Sequence, residues 1–565
     1  MPVGLSLLFR PTGISPDGSM IVRIDSAISL DRESLGPDLE SALTSRLTRP
    51  NPEYEKRKRY GRWVGNQHRL LKFYDQTDHE LRIPRGSLNL VRMVLDRYGV
   101  APQWETNGVT TRTMGRVAVS DLDVTLREYQ SICVDRMLDG VQGIVEMPCG
   151  AGKTTTAAAA LLASGEPGLV LVHTSDILKQ WVQTITALTA GTRPRVIQGK
   201  GSDVSPLKGG EVAVAMVQTL TRMKTSRGGK RYRRNQLIDL LDSVGALVTD
   251  EAHHVPAMQW KSIVDRCPAR FRWGLTATPT RSDGLGFMLN MLMGPTLFKV
   301  STDELIESQF LQRPTIIPVA SGWGPSDAHY SYTVECQYCS AKNPTNPKRH
   351  ATDGSSCAIC NEYISHKVDA DKGRLNYAKA VTGGACDAER TANICRLAKR
   401  ASDGGRTTLI LVPRKKAAYR LVRMLESMGV MAVAVTGDDN KSIRDRRLDD
   451  VRNGKTEVII ATQLADEGLD LPSLDCEINT SAGKDKGKAR QRVGRTLRIG
   501  GKKPVVFEIV DSAEFKNQWQ QRRKSYQQEY GNCVISVEPI SVQDAIDEME
   551  KVDCEVGQNL DRRLP

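Results

Sequence analysis

The sequence predicts an α/β protein with two tandem lobes, each built on a parallel sheet. An N-terminal accessory domain precedes them, and a zinc ribbon is inserted in the second. Three observations carry that prediction. From about Val119, short β-branched runs alternate with helical stretches, the pattern of βαβ units. The pattern then restarts with "RTTLILVPR", "MAVAVTG", "TEVIIAT" and "KPVVFEIVD". Between the two series lies a turn-rich segment, "CQYCSAKNPTNPKRHATDGSSCAIC", with two close cysteine pairs. The expected boundaries are residues 1–118 for the accessory domain, 119–302 for the first lobe and 303–512 for the second. The ribbon is expected over about 331–366, and a helical, then acidic and polar tail with a frayed end over 513–565.

Composition narrows the class. A chain of 565 residues has room for several cores. Its 39% hydrophobic and 26% charged residues are those of a soluble globular protein. An excess of Lys and Arg, 79 against 66 Asp and Glu, gives a net charge of +13. That favours a polyanionic partner, nucleic acid being the commonest. No apolar run is long enough to cross a bilayer, so no membrane partner is expected. The opening "MPVGLSLLFRPTG" lacks the basic start of a signal peptide. Twelve cysteines in so long a chain do not make a disulfide scaffold; two CxxC pairs favour metal in a reducing, cytoplasmic setting.

Residues 1–118 carry no nameable motif. They include the basic and aromatic run "YEKRKRYGRWVGNQHRLLKFY", Tyr54 to Tyr74. "LRIPRGSLNLVRMVLDRYG" after it reads as a short strand, a turn and an amphipathic helix.

In the first lobe, "QGIVEMPCGAGKTTT" has the strand–loop–helix order of a phosphate-binding loop. Pro148, Cys149, Gly150, Ala151, Gly152, Lys153, Thr154 and Thr155 form the expected cradle for ATP. Loop N–H groups and a helix N-terminus would converge on phosphate. Lys153 would neutralise the β/γ oxygens and Thr154 would offer a hydroxyl to Mg²⁺. Met147 stands where the loop formula wants glycine. About one hundred residues on, the apolar run "ALVT" ends in Asp250-Glu251. The first carboxylate suits Mg²⁺ and the second suits activation of an attacking water.

Here a resemblance becomes specific. Asp250-Glu251-Ala252-His253 spells the DEAH form of motif II of superfamily 2 helicases. "LREYQ" looks like the adenine-contacting element of that superfamily, which implies Arg127 and Gln130 as nucleotide contacts. "VLVHTSDILKQW" resembles motif Ia, "MVQTL" the element after it, and "LTATPTR" motif III. In the second lobe "ATQLADEGLDLP" resembles motif V, implying Gly468 and Asp470 at the nucleotide. "QRVGRTLR" resembles motif VI, implying Gln491, Arg495 and Arg498 as catalytic groups that stabilise charge on the γ-phosphoryl group. A helical stretch would set the two arginines one turn apart.

Within the superfamily the pattern is most similar to XPB-type DNA repair helicases and their phage and bacterial relatives. That implies two RecA-like lobes with Mg²⁺-ATP between them, and movement along DNA, 3′ to 5′, in repair, recombination or replication. The implied substrates are single-stranded, forked or branched DNA, with a partner nuclease or repair proteins. The implied location is the nucleoid, or host cytoplasm if the chain is phage-encoded. One departure stands out: where that group has Arg-Glu-Asp after motif III, this chain reads Arg281-Ser282-Asp283. That departure keeps a duplex translocase without strand separation open. An RNA helicase also stays open, because these motifs grip the backbone and do not settle the sugar, as does an ATP-switched zinc-containing scaffold.

Cys336 and Cys339 form one CxxC pair, Cys357 and Cys360 the other, with residues 340–356 between them. Four thiolates at this spacing suit one tetrahedral Zn²⁺. A segment so rich in Pro, Asn, Gly and Ser has little core to bury without a metal.

Overall fold

The computed structural model describes residues 20–561 except 62, 107–120, 226–230, 256–257, 278–285, 327–328, 336–341, 346–354, 357–362, 365–373, 463–473, 481–492, 495 and 498–501. The chain divides into two compact units, Met1–Glu304 and Leu305–Pro565.

The first unit holds a seven-stranded sheet. Across it the strands are Arg195–Ile197, Val212–Met216, Gly168–Val172, Ala246–Thr249, Phe271–Thr276, Gln142–Glu146 and Thr296–Lys299, every pair parallel. The central strands are buried along their whole length, which is why Gly168–Val172 reads as an unbroken apolar run rather than an alternating one; Arg272 is the charged exception in Phe271–Thr276. Their register fixes the functional edge: Thr249 pairs with Leu171 and Gly274, and Thr276 pairs with Glu146. The chain leaves those four strands at His173, Asp250, Ala277 and Met147 on one edge of the sheet. In open parallel sheets that edge is where ligands sit.

The N-terminal residues form a separate five-stranded sheet, in the order Asp75–Gln76, Glu80–Pro84, Ala27–Asp31, Ile21–Ile24 and Gln103–Glu105. Helices Arg32–Arg46 and Leu88–Arg97 contribute Leu35, Leu39, Leu43, Val91, Val94 and Leu95 to its core. The expected strand, turn and amphipathic helix are Glu80–Pro84, Arg85–Ser87 and Leu88–Arg97. Met288 and Met291 of the first lobe join the same apolar cluster.

The seam between them is polar and closed. Arg85 Nη1 donates to Ala269 O at 2.6 Å and its Nη2 to Arg270 O at 2.7 Å. Gln142, which begins the phosphate-loop strand, donates to Arg85 O at 3.0 Å. Arg272, fully buried, donates to Ser26 O at 3.2 Å and Cys267 O at 2.7 Å. Burial, with repulsion from Arg272 added, brings the Arg85 guanidinium down to about 9. Backbone carbonyls accept these guanidinium hydrogens, and Asp25 acts electrostatically on both arginines.

The second unit holds a six-stranded parallel sheet in the order Thr315–Ala320, Val505–Val510, Leu474–Asn479, Thr407–Val412, Val458–Thr462 and Ala432–Val435. Helices Ala388–Asp403 and Lys415–Ser427 lay amphipathic faces on it. The tail differs from the frayed end expected of so polar a sequence. Val542, Ala545, Met549 and Val552 of the last helix belong to the main core of this unit. They recur every three or four residues, the spacing of one helix face, so a narrow apolar stripe suffices. Arg406 anchors that helix through Asp553 at 2.7 Å. Helix Ala513–Tyr530 buries Trp519, Tyr526 and Tyr530. Glu508, fully buried, accepts from Asn479, Arg522 and Tyr526 at 2.8, 3.0 and 2.5 Å.

Two predictions follow from packing and burial. A Cβ on Gly86 would sit 2.6 Å from Met291 O and Gly294 N. Both are backbone atoms, so Gly86→Ala should lower the melting temperature, at a cost of about 1–3 kcal/mol; a parent-like melt would show that the seam yields. In the second unit, burial holds the Asp475 carboxyl up at about 6, against Arg406 and Lys502. A raised carboxyl stabilises the fold below its unfolded value, and that contribution is lost as pH rises through 6. Asp475→Asn should therefore gain up to about 3 kcal/mol over the parent near pH 8 and almost nothing near pH 4. Denaturant titrations at the two pH values give the comparison.

Candidate nucleotide-binding site

Strand Gln142–Glu146 and helix Lys153–Ala163 bracket the phosphate loop. Gly150 and Gly152 both have left-handed backbones, with φ of 83° and 78°, a region closed to most side chains. At Gly152 a Cβ would also collide with the Gln130 side-chain nitrogen. Gln130 is buried and ties two segments together. Its Oε1 accepts from Arg127 N at 3.0 Å, and its Nε2 donates to Ala151 O at 3.1 Å. Tyr129 OH donates to the same carbonyl at 2.8 Å. Within the loop Ala151 N donates to Pro148 O at 3.3 Å. Cys149, Lys153, Thr154 and Thr155 are half-buried at the loop and the first turn of the helix.

Met147, at the place where the loop formula has glycine, is 1% exposed. Its N–H donates to Thr276 O at 3.1 Å, continuing the ladder between the two strands.

Asp250 follows strand Ala246–Thr249 and is buried. Trp181 Nε1 donates to its Oδ2 at 2.7 Å and Glu251 N to its Oδ1 at 2.8 Å. Burial, and then the charge of Glu251, push the Asp250 carboxyl above its ordinary value; Trp181 and Lys153 oppose them. Burial alone would lower the Lys153 ammonium, yet Cys149, Glu251 and Asp250 hold it above its ordinary value. The lysine and the acid pair thus sense each other across the sheet edge.

Glu251 takes a left-handed backbone, φ 48° and ψ 54°. For a residue with a Cβ that conformation costs about 1–2 kcal/mol. Its Oε2 is buried without a hydrogen bond, 3.4 Å from His253 Nδ1. His253 Nδ1 also lies 3.5 Å from Thr276 Oγ1, at the end of strand Phe271–Thr276. A strained turn therefore holds a carboxylate beside the phosphate loop with hydrogen-bonding capacity to spare.

The structure brings Arg127, Gln130, Pro148–Thr155, Asp250 and Glu251 onto one sheet edge. Gly468, Asp470, Gln491, Arg495 and Arg498 lie outside the described residues, as do Arg281, Ser282 and Asp283. Their described neighbours Val493 and Leu497 are fully buried, and Leu497 O accepts from Gln312 N at 2.9 Å. Cys336, Cys339, Cys357 and Cys360 also lie outside them, and among the described residues no cluster suited to a metal occurs. Each CxxC pair does fall in sequence between the strands of an antiparallel hairpin: Tyr330–Glu335 with Lys342–Thr345, and Ser355–Ser356 with Tyr363–Ile364. Trp181 and Tyr129 were not foreseen as site residues. No local pattern connects an indole to a carboxylate 69 positions away.

Comparison with known proteins agrees with this geometry. Residues 123–281 match the family model described as the res subunit of type III restriction enzymes, and 389–500 match the helicase conserved C-terminal domain. A Rad25 protein of Halobacterium salinarum is 27% identical over 388 residues, 68% of this chain and 54% of that one. The chain thus spans about half the length of that relative. The DNA 3′-5′ translocase XPB2 of Sulfurisphaera tokodaii is 25% identical over 421 residues, 71% of this chain and 85% of that one. Among solved structures, S. cerevisiae Dbp5 bound to RNA and ADP BeF3 shares the fold, with a TM-score of 0.50 at 16% identity. That alignment covers 76% of this chain and 93% of Dbp5.

The indole bond gives a test. Trp181→Phe keeps the ring in its pocket but removes the donor to Asp250. A hydrogen bond to a charged group contributes about 1.5–3 kcal/mol, so the variant should unfold at a lower denaturant concentration than the parent. A parental unfolding midpoint in the variant would exclude a holding role for this bond.

Proposed function

Because the chain belongs to the XPB/Rad25 family of superfamily 2 helicases, we propose that it is an ATP-driven DNA helicase or translocase. The observation that carries this reading is the single sheet edge holding left-handed glycines, Lys153, and the Asp250–Glu251 pair. Loop N–H groups and Lys153 bind the phosphates, and Arg127 and Gln130 serve the base. Thr154 and Asp250 would hold Mg²⁺, the Lewis acid that neutralises the phosphate oxygens. The donor set fits that ion: a hydroxyl and a buried carboxylate oriented by an indole. Glu251 orients the attacking water and takes its proton. In the second lobe Gly468 and Asp470 contact the nucleotide, while Gln491, Arg495 and Arg498 act on the transferred phosphoryl, the two guanidiniums countering its charge. The work driven is movement on DNA, 3′ to 5′, the polarity in the XPB2 relative's name. Strand separation is the open part. Ser282 stands where the family pattern Arg-Glu-Asp has glutamate, which favours a second reading as a duplex translocase.

The zinc ribbon belongs to the same proposal. Cys336, Cys339, Cys357 and Cys360 would close one tetrahedral site joining two short hairpins. Lys348 and Arg349 between the pairs offer charge to DNA.

An ATPase assay with single-stranded, forked and duplex DNA and with RNA as stimulators tests the reading. DNA should stimulate turnover; Lys153→Ala should abolish it, and Glu251→Gln should bind ATP without hydrolysing it. Parental turnover in both variants would overturn the site assignment, and stimulation by RNA alone would overturn the DNA assignment. Unwinding of a forked duplex against displacement of a triplex strand separates helicase from duplex translocase. Elemental analysis should find about one zinc per chain, lost on Cys336→Ser; a metal-free parent would refute the ribbon.

A further inference from the structure

The N-terminal sheet carries a wing that its core does not need. Strands Thr48–Pro50 and Leu70–Lys72 pair as a short hairpin, and helix Pro52–Arg59 grows from its tip. That helix buries no residue, so packing does not explain it. Asn51 holds it in place instead. Its Oδ1 accepts from Glu53 N at 3.1 Å, its Nδ2 donates to His68 O at 2.9 Å, and its N donates to Arg69 O at 2.9 Å. One side chain thus caps the helix and pins the returning loop.

Ion pairs take up part of the charge on this wing. Glu53 pairs with Arg57 and Glu55 with Arg69. Lys56, Lys58 and Arg59 are exposed and have no ion-pair partner among the described residues. Cations in a last helical turn suit the macrodipole, which accounts for part of the run. It does not account for the rings that follow. Tyr60 is 64% exposed and Trp63 is 82% exposed. The Trp63 ring lies near Gly65, where φ is +59°: a Cβ there would sit 3.2 Å from its Cζ3. One side of the indole is backed by the chain at Gly65, which leaves its broad surface open to solvent. A rigid, exposed, apolar face beside unpaired cations is complementary to a nucleic-acid strand whose bases are free to stack. A duplex hides those faces.

We propose that this wing grips an unpaired DNA strand, with a base stacked on Trp63 and phosphates on Lys56, Lys58 and Arg59. The proposal rests on the reading of the motor as DNA-directed, and adds a contact outside the motor.

Fluorescence anisotropy of a labelled oligo-dT with the full chain, in the absence of nucleotide, tests it. Trp63→Ala should weaken oligo-dT binding about tenfold, within the range for loss of one stacked base, and Trp63→Phe should recover most of it. Blunt duplex binding should change far less. Replacing Lys56, Lys58 and Arg59 with Gln should flatten the dependence of log Kd on log salt by about two. Parental oligo-dT affinity in Trp63→Ala, or equal losses for oligo-dT and duplex, overturns the grip. The parent's own ATPase keeps the two readings apart. A parent without turnover whose oligo-dT binding still depends on Trp63 loses the motor and keeps the grip. A DNA-stimulated parent indifferent to Trp63 keeps the motor and loses the grip.

Discussion

Seven strands running the same way are the constraint on which the site depends. Parallel pairing sends every strand's exit to one edge, so residues more than a hundred positions apart meet without any long-range pattern joining them. The phosphate loop leaves beside Thr276, and the acid pair leaves one strand further over. Once the strands are in register, Lys153, Asp250 and Glu251 share one electrostatic environment. The individual hydrogen bonds then tune what topology has already assembled. Trp181 aims Asp250, Gln130 fastens Ala151 to the start of helix Glu128–Gly140, and the left-handed turn at Glu251 presents its carboxylate.

The same sheet explains how the N-terminal module is carried. Gln142 opens the phosphate-loop strand and donates to Arg85 O; Arg85 in turn donates to the carbonyls of Ala269 and Arg270, just before strand Phe271–Thr276. Two guanidiniums, Arg85 and Arg272, are desolvated side by side with carbonyls as their main partners. Removing one buried partner of such a set costs more than the set contributes, because the others are left unpaired. The seam is therefore specific. It joins the N-terminal module to the two strands that carry the phosphate loop and Thr276.

Much of this was legible in sequence because it is local. Strand–loop–helix around Gly152, and an apolar run ending in Asp250-Glu251, are short patterns whose chemistry demands those residues. The two α/β series likewise reappear as two parallel sheets. What escaped was non-local or sparse. Trp181 reaches Asp250 from a different βα unit. The C-terminal helix conceals its stripe of Val542, Ala545, Met549 and Val552 among acidic neighbours, so composition suggested a loose end where there is core. Nothing in a linear sequence marks Arg85 and Arg272 as seam residues, since their hydrogen-bond partners are backbone carbonyls.

Met147 shows how a departure from a motif can be decided by geometry. The first glycine of a phosphate loop is needed only if that residue must turn away from the strand or leave room for phosphate. Here it does neither. Met147 N is still bound to Thr276 O, so the residue extends the ladder of the strand before it. Its side chain is buried. The sharp turns fall later, at Gly150 and Gly152, where φ is 83° and 78°. A Cβ at Gly152 would drive into Gln130, the side chain that holds the loop to its neighbour helix. The chain therefore keeps glycine where the backbone is left-handed and a second segment closes in, and accepts methionine where the strand has yet to end.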